Sequence, residues 1–357
     1  MSTTDTLTMN RILNAVAERQ ATDIHFVVGN HPFLRIKGAL QPLEEEELIT
    51  PETMAGIVNF FVPEEQLEVV GQKKELKFIY DWLGKARFRV HIFQQKGHFS
   101  VSLKIIGQQI KPLAELGLPK IVESFIAEPK GLIFIAGPFN SGRSTTLNSM
   151  IQAINQTRAE HILYLEEPIE YLFVNSKSVI EQRQVGLDVK SFTDGLISAK
   201  DEDVDVVAVA KVDSPQSLEL LLELAESGRL VIAILDYDTT VSALDGLVSE
   251  FSDAKVSWAR NVLADFLVGL IVQRLVKTVD GEMALAAEIL TASSSAQALI
   301  KEGRLNQLES IIQTSKAEGM VSLDRSLADL AKNGRITSEE AVKNAINPKT
   351  VKTLLSK

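Results

Sequence analysis

Between Gly137 and Thr146 the chain reads Gly-Pro-Phe-Asn-Ser-Gly-Arg-Ser-Thr-Thr, and the residue types at these spacings suit one kind of chemistry. Two glycines five positions apart, then a cation and a hydroxyl, match the phosphate-loop pattern G-x-x-x-x-G-K-[ST] with Arg143 in the lysine position. In such a loop successive backbone N–H groups and the N-terminus of the next helix surround a phosphate, so glycine is needed where phosphate oxygens approach the backbone closely. Asn140 stands where a further glycine is common, and asparagine tolerates a left-handed backbone better than most residues. Arg143 keeps the positive charge but changes its shape, because a planar guanidinium is larger than an ammonium in the same slot. The spacing predicts a phosphate cradle over Gly137, Asn140, Ser141, Gly142, Arg143, Ser144 and Thr145, with a strand-to-helix turn that holds no ligand as the plain alternative.

A cradle of this kind needs a strand before it and a helix after it. The apolar run Gly-Leu-Ile-Phe-Ile-Ala-Gly from Gly131 supplies the strand, and a helix is expected from about Ser144. Three further apolar runs, His-Ile-Leu-Tyr-Leu-Glu-Glu, Asp-Val-Val-Ala-Val-Ala-Lys-Val and Arg-Leu-Val-Ile-Ala-Ile-Leu-Asp, alternate with helices expected near Ser191 and Ser214. Near-continuous apolar strands separated by helices mark a parallel sheet covered on both faces. Ser214 before Pro215 fits a helix N-cap with proline in the first turn, and Gly228 fits that helix's stop. The long apolar stretch Val262–Val276 contains Asp265, Gln273 and Arg274, which makes it too short and too polar for a membrane span and predicts a buried helix. Beyond residue 290 the pattern is helical, broken at Gly303, Gly319 and Gly334.

The N-terminal third is different. Met9, Ile12, Leu13, Val16 and Ala17 share one helical face, and a second helix is expected around residues 51–62. Around these lie β-branched and aromatic segments punctuated by Gly38, Gly84 and Gly97, which predict a mixed α/β domain with a largely antiparallel sheet. The divisions expected from these changes are residues 1–107, a linker at 108–126, a nucleotide-binding core at 127–290 and a helical subregion at 291–357.

Composition narrows the partners. The 357 residues are 45% hydrophobic and 24% charged, enough for the cores of two domains. The net charge of −10 argues against binding nucleic acid by phosphate neutralisation. With no cysteine there is no disulfide framework or thiolate metal site, and the start lacks an apolar signal core, so a cytoplasmic location is expected.

Long stretches of the chain resemble the hexameric secretion and pilus ATPases, most closely the type IV pilus retraction ATPases of twitching motility. They include Ala-Thr-Asp-Ile-His-Phe-Val-Val-Gly from Ala21, the loop itself, His-Ile-Leu-Tyr-Leu-Glu-Glu-Pro-Ile-Glu-Tyr from His161, Ile-Glu-Gln-Arg-Gln-Val-Gly from Ile180 and Glu-Ser-Ile-Ile-Gln-Thr-Ser-Lys from Glu309. The resemblance implies a PAS-like N-terminal α+β domain followed by a RecA-like ATPase domain with a helical C-terminal subregion. It also implies a ring of six chains, ATP or ADP with Mg²⁺, and docking on the cytoplasmic face of a pilus platform at the inner membrane. By the same resemblance Ser144 and Glu166 would serve Mg²⁺, Glu166 and Glu170 would organise metal and water, Arg87 and Arg89 would reach the phosphates, and Arg183 would be a further arginine of the nucleotide site. Without that frame, Arg87 and Arg89 would mark a solvated strand face, and Glu170 would cap a turn.

The departures fall at the reacting end. Lys211 stands where the family carries its Walker B glutamate, and Asp213 where an arginine follows it. Arg229 and Asp236 replace two histidines of the family's histidine motif, and Asp201 replaces an arginine. A protonated lysine cannot accept a proton from attacking water, and losing a general base costs about 10² to 10⁴ in rate. The expectation is a weak ATPase or pseudo-ATPase, a regulatory or structural member of a homo-hexamer or of a mixed ring with an active paralogue. Opposite charges at Lys211 and Asp213 are further expected to neutralise each other or to meet changed partners. Two other readings stand beside this one: a working motor in which Arg143 clamps phosphate and Glu166, Glu167 or Glu202 positions water, and a scaffold whose Phe139 ring fills the nucleotide space. The retraction ATPases also carry an Ala-Ile-Arg-Asn-Leu-Ile-Arg-Glu helix near the C-terminus, which the chain matches at Ser295–Glu302 with Gln297 for its first arginine, either a packing helix that tolerates drift or a loss of retraction function.

Overall fold

The computed structural model describes residues 3–19, 21–36, 38–62, 74–83, 86–106 and 109–356. They form two compact units, Met1–Gln109 with Pro168–Leu172, and Ile110–Glu167 with Phe173–Lys357. Gly84, expected as a punctuation point, lies outside the described residues.

The first unit is a six-stranded antiparallel sheet with helices α1 (Thr3–Glu18) and α2 (Pro51–Phe61) packed on it. In chain order its strands are β1 (Asp23–Val27), β2 (Phe33–Ile36), β3 (Ala39–Pro42), β4 (Glu75–Trp82), β5 (Ala86–Gln95) and β6 (His98–Ile106), and in space they run β3-β2-β1-β6-β5-β4. Helix α1 turns Met9, Ile12, Leu13 and Val16 into the core, the face its periodicity predicts. Helix α2 starts where Thr50 accepts from the Thr53 N–H and Pro51 sets the first turn.

The second unit carries a seven-stranded sheet in the order β13-β12-β7-β11-β10-β8-β9. Its strands are β7 (Gly131–Ala136), β8 (His161–Glu166), β9 (Val179–Gln184), β10 (Val206–Val209), β11 (Leu230–Leu235), β12 (Leu267–Lys277) and β13 (Met283–Thr291). All neighbours are parallel except β12 and β13. Alternate residues of β7 enter different cores, Leu132, Phe134 and Ala136 on one face and Ile133 and Ile135 on the other. That is why the run is continuously apolar. After α3 (Ile121–Phe125), the helices α4 (Arg143–Thr157), α5 (Phe192–Asp201), α6 (Pro215–Glu226), α7 (Thr240–Ser249) and α8 (Asp253–Phe266) follow in order. Ser191 and Ser214 cap α5 and α6 by accepting from the N–H three residues on. Leu113, Val122 and Phe125, within the stretch expected as a linker, are buried in this unit's core.

One expectation fails. The stretch Val262–Val276 is not a buried helix, because α8 ends at Phe266 and β12 begins at Leu267. The β-branched and leucine-rich half from Leu267 is buried on both faces between β7 and β13, an environment in which a strand shows no alternation and resembles a helix core. Beyond β13 lie helices α9 (Ser294–Glu302), α10 (Leu308–Thr314), α11 (Leu323–Lys332), α12 (Ser338–Lys343) and α13 (Pro348–Ser356). The last three close a small separate core with Val276, Ala284 and Ala286.

Candidate functional site

The loop at 137 leaves β7 at the carboxyl edge of the parallel strands, where open α/β sheets bind ligands. Gly137 has φ 149°, and a Cβ there would come within 2.4 Å of the Gln273 carbonyl and 2.5 Å of Ser141 Oγ. Asn140 takes the left-handed conformation at φ 63°, as its tolerance predicts. Gly142 is the N-cap of α4 at φ 88°, and no side chain caps the helix. The first N–H groups of α4 therefore have no intrahelical acceptor and no capping oxygen. Ser141 is buried, and among the described residues its Oγ has no hydrogen-bond partner. Ser144 and Thr145 are exposed on the first helical turn. Free amides, a glycine that a Cβ would crowd and a buried orphan hydroxyl suit a phosphate group. Phe139 is 84% exposed, so its ring lies in solvent and does not fill the cradle.

The loop is fastened from below by a residue that the sequence reasoning missed as part of the site. Gln273 of β12 is fully buried, donates from Nε2 to the Ser141 carbonyl at 2.9 Å and accepts from Thr146 Oγ1 at 3.0 Å. It bridges the loop and the helix in one side chain. Its only sequence signal is an amide inside an apolar run, since its partners are more than a hundred residues away.

The residues that depart from the family pattern have their own partners. Arg143 Nη1 donates to the Leu235 carbonyl and to Asp236 Oδ1, so the arginine in the lysine position is paired with the aspartate in a histidine position. Lys211 lies exposed just beyond β10. Asp213 accepts from Ser217 Oγ at 2.7 Å in the first turn of α6. The neutralising pair expected between Lys211 and Asp213 does not form among the described residues; Asp213 has the changed partner instead. Arg229 donates from Nη2 to the carbonyls of Lys200 at 3.3 Å and Glu202 at 3.2 Å, a structural cap on the end of α5.

Glu166 ends β8 with its side chain buried and accepts from Gln182 Nε2 at 3.0 Å. Burial pushes the neighbouring Tyr164 hydroxyl well above its ordinary pKa, and the Glu166 carboxylate adds to the effect. Arg183 of β9 donates to Glu202 Oε1 at 3.1 Å. Glu167 is exposed. Glu170 is not on the strand with Glu166; it lies in the segment Pro168–Leu172 that packs with the first unit. There its carboxylate pairs with Arg89 and its carbonyl accepts from Arg87 Nη1. The two β5 arginines therefore do not form a bare solvated face. Among the described residues, no group of three or more His, Asp or Glu side chains forms a metal cluster. In α9, Ala296, Leu299 and Ile300 are buried and Lys301 pairs with Asp265 at 2.6 Å, a packing role for that helix.

A loop of phosphate-cradle form on a mostly parallel sheet flanked by helices, with a separate α+β unit before it, defines the fold of a RecA-like ATPase domain preceded by an N-terminal domain. The chain belongs to the type II/IV secretion system protein family, whose model matches residues 4–354. It is 33% identical over 321 residues to the twitching motility protein of Neisseria gonorrhoeae, covering 90% of this chain and 86% of the relative. It is 30% identical to the type IV pilus retraction ATPase PilT of Pseudomonas aeruginosa, covering 95% and 98%. A crystal structure of the pilus retraction motor PilT with bound ADP superposes with TM-score 0.87 at 34% identity, covering 96% of this chain and 98% of the other.

Proposed function

We propose that this chain is a degenerate subunit of the type IV pilus retraction ATPases, one that binds ATP or ADP and hydrolyses it slowly or not at all. The observation that carries the proposal is Lys211, a cation just past the carboxyl end of β10, where the family's acidic proton acceptor is expected. The lost general base is worth about 10² to 10⁴ in rate, which is roughly 3 to 5 kcal/mol of barrier. Nucleotide would be held by the backbone of Gly137, Asn140, Ser141, Gly142, Arg143, Ser144 and Thr145, with Ser144 and Glu166 serving Mg²⁺. Binding by backbone amides does not need the base, so affinity can outlive turnover. The ADP in the related PilT structure supports a nucleotide on this fold. Of the three candidate substitutes for the lost base, Glu202 is paired with Arg183, Glu166 accepts from Gln182 and would be spent on Mg²⁺, and Glu167 is exposed.

Its role is then regulatory or structural, in a ring of six like chains or one mixed with an active paralogue, at the cytoplasmic face of a pilus platform. A thermal-shift titration with MgADP and MgATP tests binding. A ligand at a hundred times its Kd stabilises the folded state by about 2.7 kcal/mol, so a rise of several degrees is expected. No rise with either nucleotide refutes the proposal.

A further inference from the structure

We propose that Asp236 is a positioning residue that sets nucleotide affinity by occupying Arg143 as an internal stand-in for phosphate. This rests on the nucleotide site described above and says how this chain tunes it. Leu235 pairs in register with Ala136, so the end of β11 is level with the end of β7 where the loop begins. Both acceptors of Arg143, the Leu235 carbonyl and the Asp236 carboxylate, lie at that end of β11. An Nη atom carries two N–H donors, and Arg143 Nη1 spends both on these acceptors. The guanidinium is mostly enclosed at 11% side-chain exposure, whereas Asp236 is 75% exposed at the rim. Arg–carboxylate and Arg–phosphate pairing use the same donors in the same geometry. A nucleotide phosphate that takes up the Nη1 donors of Arg143 therefore displaces Asp236, and binding at that edge of the guanidinium carries the cost of breaking the pair. The substitutions at positions 143 and 236 form one device, since each supplies the other's partner.

The test is the affinity for MgADP, by calorimetric titration, of the wild-type protein, Asp236→Ala, Arg143→Ala and the double variant. Alanine is chosen because an asparagine oxygen would still accept from the guanidinium, and the exposure of Asp236 means the variant folds. Asp236→Ala is expected to bind about 3- to 10-fold tighter, with no gain when the same change is made in the Arg143→Ala background. Equal gain in both backgrounds would overturn the proposal, because Asp236 would then act by repelling phosphate directly and not through Arg143. Wild-type binding with an Asp236→Ala variant that binds equally or more weakly overturns it too, while leaving the nucleotide site standing. No binding by any of the four proteins overturns the nucleotide site and this device together.

Discussion

Replacing Gln273 with leucine tests how the loop is held. The side chain is fully buried and joins the Ser141 carbonyl to the Thr146 hydroxyl. Leucine of similar volume opens little cavity, so the cost is that of two buried polar groups left without their partner. Each such group costs about 1 to 3 kcal/mol, so the two together cost roughly 2 to 6 kcal/mol. In a unit of this size a kcal/mol lowers the melting temperature by about 2 to 4 °C, so a drop of about 4 to 24 °C is expected for the second unit's transition in scanning calorimetry. Thr146→Val sharpens the test: it destabilises the wild-type chain but costs little in the Gln273→Leu background, where the hydroxyl has already lost its acceptor. A Gln273→Leu melt within about 2 °C of wild type, or the same Thr146→Val cost in both backgrounds, would refute the bridge.

Other expectations follow from the same contacts. Restoring the base alone by Lys211→Glu raises phosphate release less than about tenfold, whereas Arg143→Lys, Lys211→Glu and Asp236→His together raise it about a hundredfold or more, because groups that act as a unit are not additive; a phosphate-release assay on the single and triple variants decides. Arg229→Ala removes two carbonyl contacts at the end of α5 and is expected to cost about 0.5 to 2 kcal/mol in denaturant unfolding without altering nucleotide affinity; a change in affinity at unchanged stability would assign Arg229 to the site. Burial lowers the His25 pKa from its ordinary 6.5, Arg35 lowering it further and Asp23 opposing. The unfolded chain then takes up the proton first as pH falls, so the stability of the first unit is full above the ordinary histidine range and is lost as pH drops through it toward the folded value. His25→Gln should flatten that loss between pH 7.5 and 5.5, and an unchanged slope would mean another group titrates.

Much of this was legible in the sequence because it is local. Gly137 and Gly142 report a backbone that must admit a phosphate, and Ser191 and Ser214 announce helices by capping them three residues on. Met9, Ile12, Leu13 and Val16 reveal the buried face of α1 by period alone. What escaped is long-range or two-sided. The pairing of Arg143 with Asp236 and the bridge made by Gln273 join residues about a hundred positions apart, and no spacing encodes them. Strand β12 was hidden because burial on both faces erases the alternation that marks a strand, and a continuous apolar run of that length also suits a helix. Glu170 follows Glu166 closely in sequence, yet the chain turns after β8 and spends Glu170 on Arg89.

The most direct test of the central proposal is the fate of bound ATP. The purified protein is incubated with MgATP, freed of excess nucleotide, and its bound nucleotide recovered and identified while phosphate release is followed in parallel. Bound ATP recovered intact after an hour, with no phosphate release above background, is the result expected of a site that binds without turnover. Conversion to ADP with steady release at about 1 per second or faster, within the ordinary range for enzymes, would contradict it and make Lys211 no barrier to catalysis.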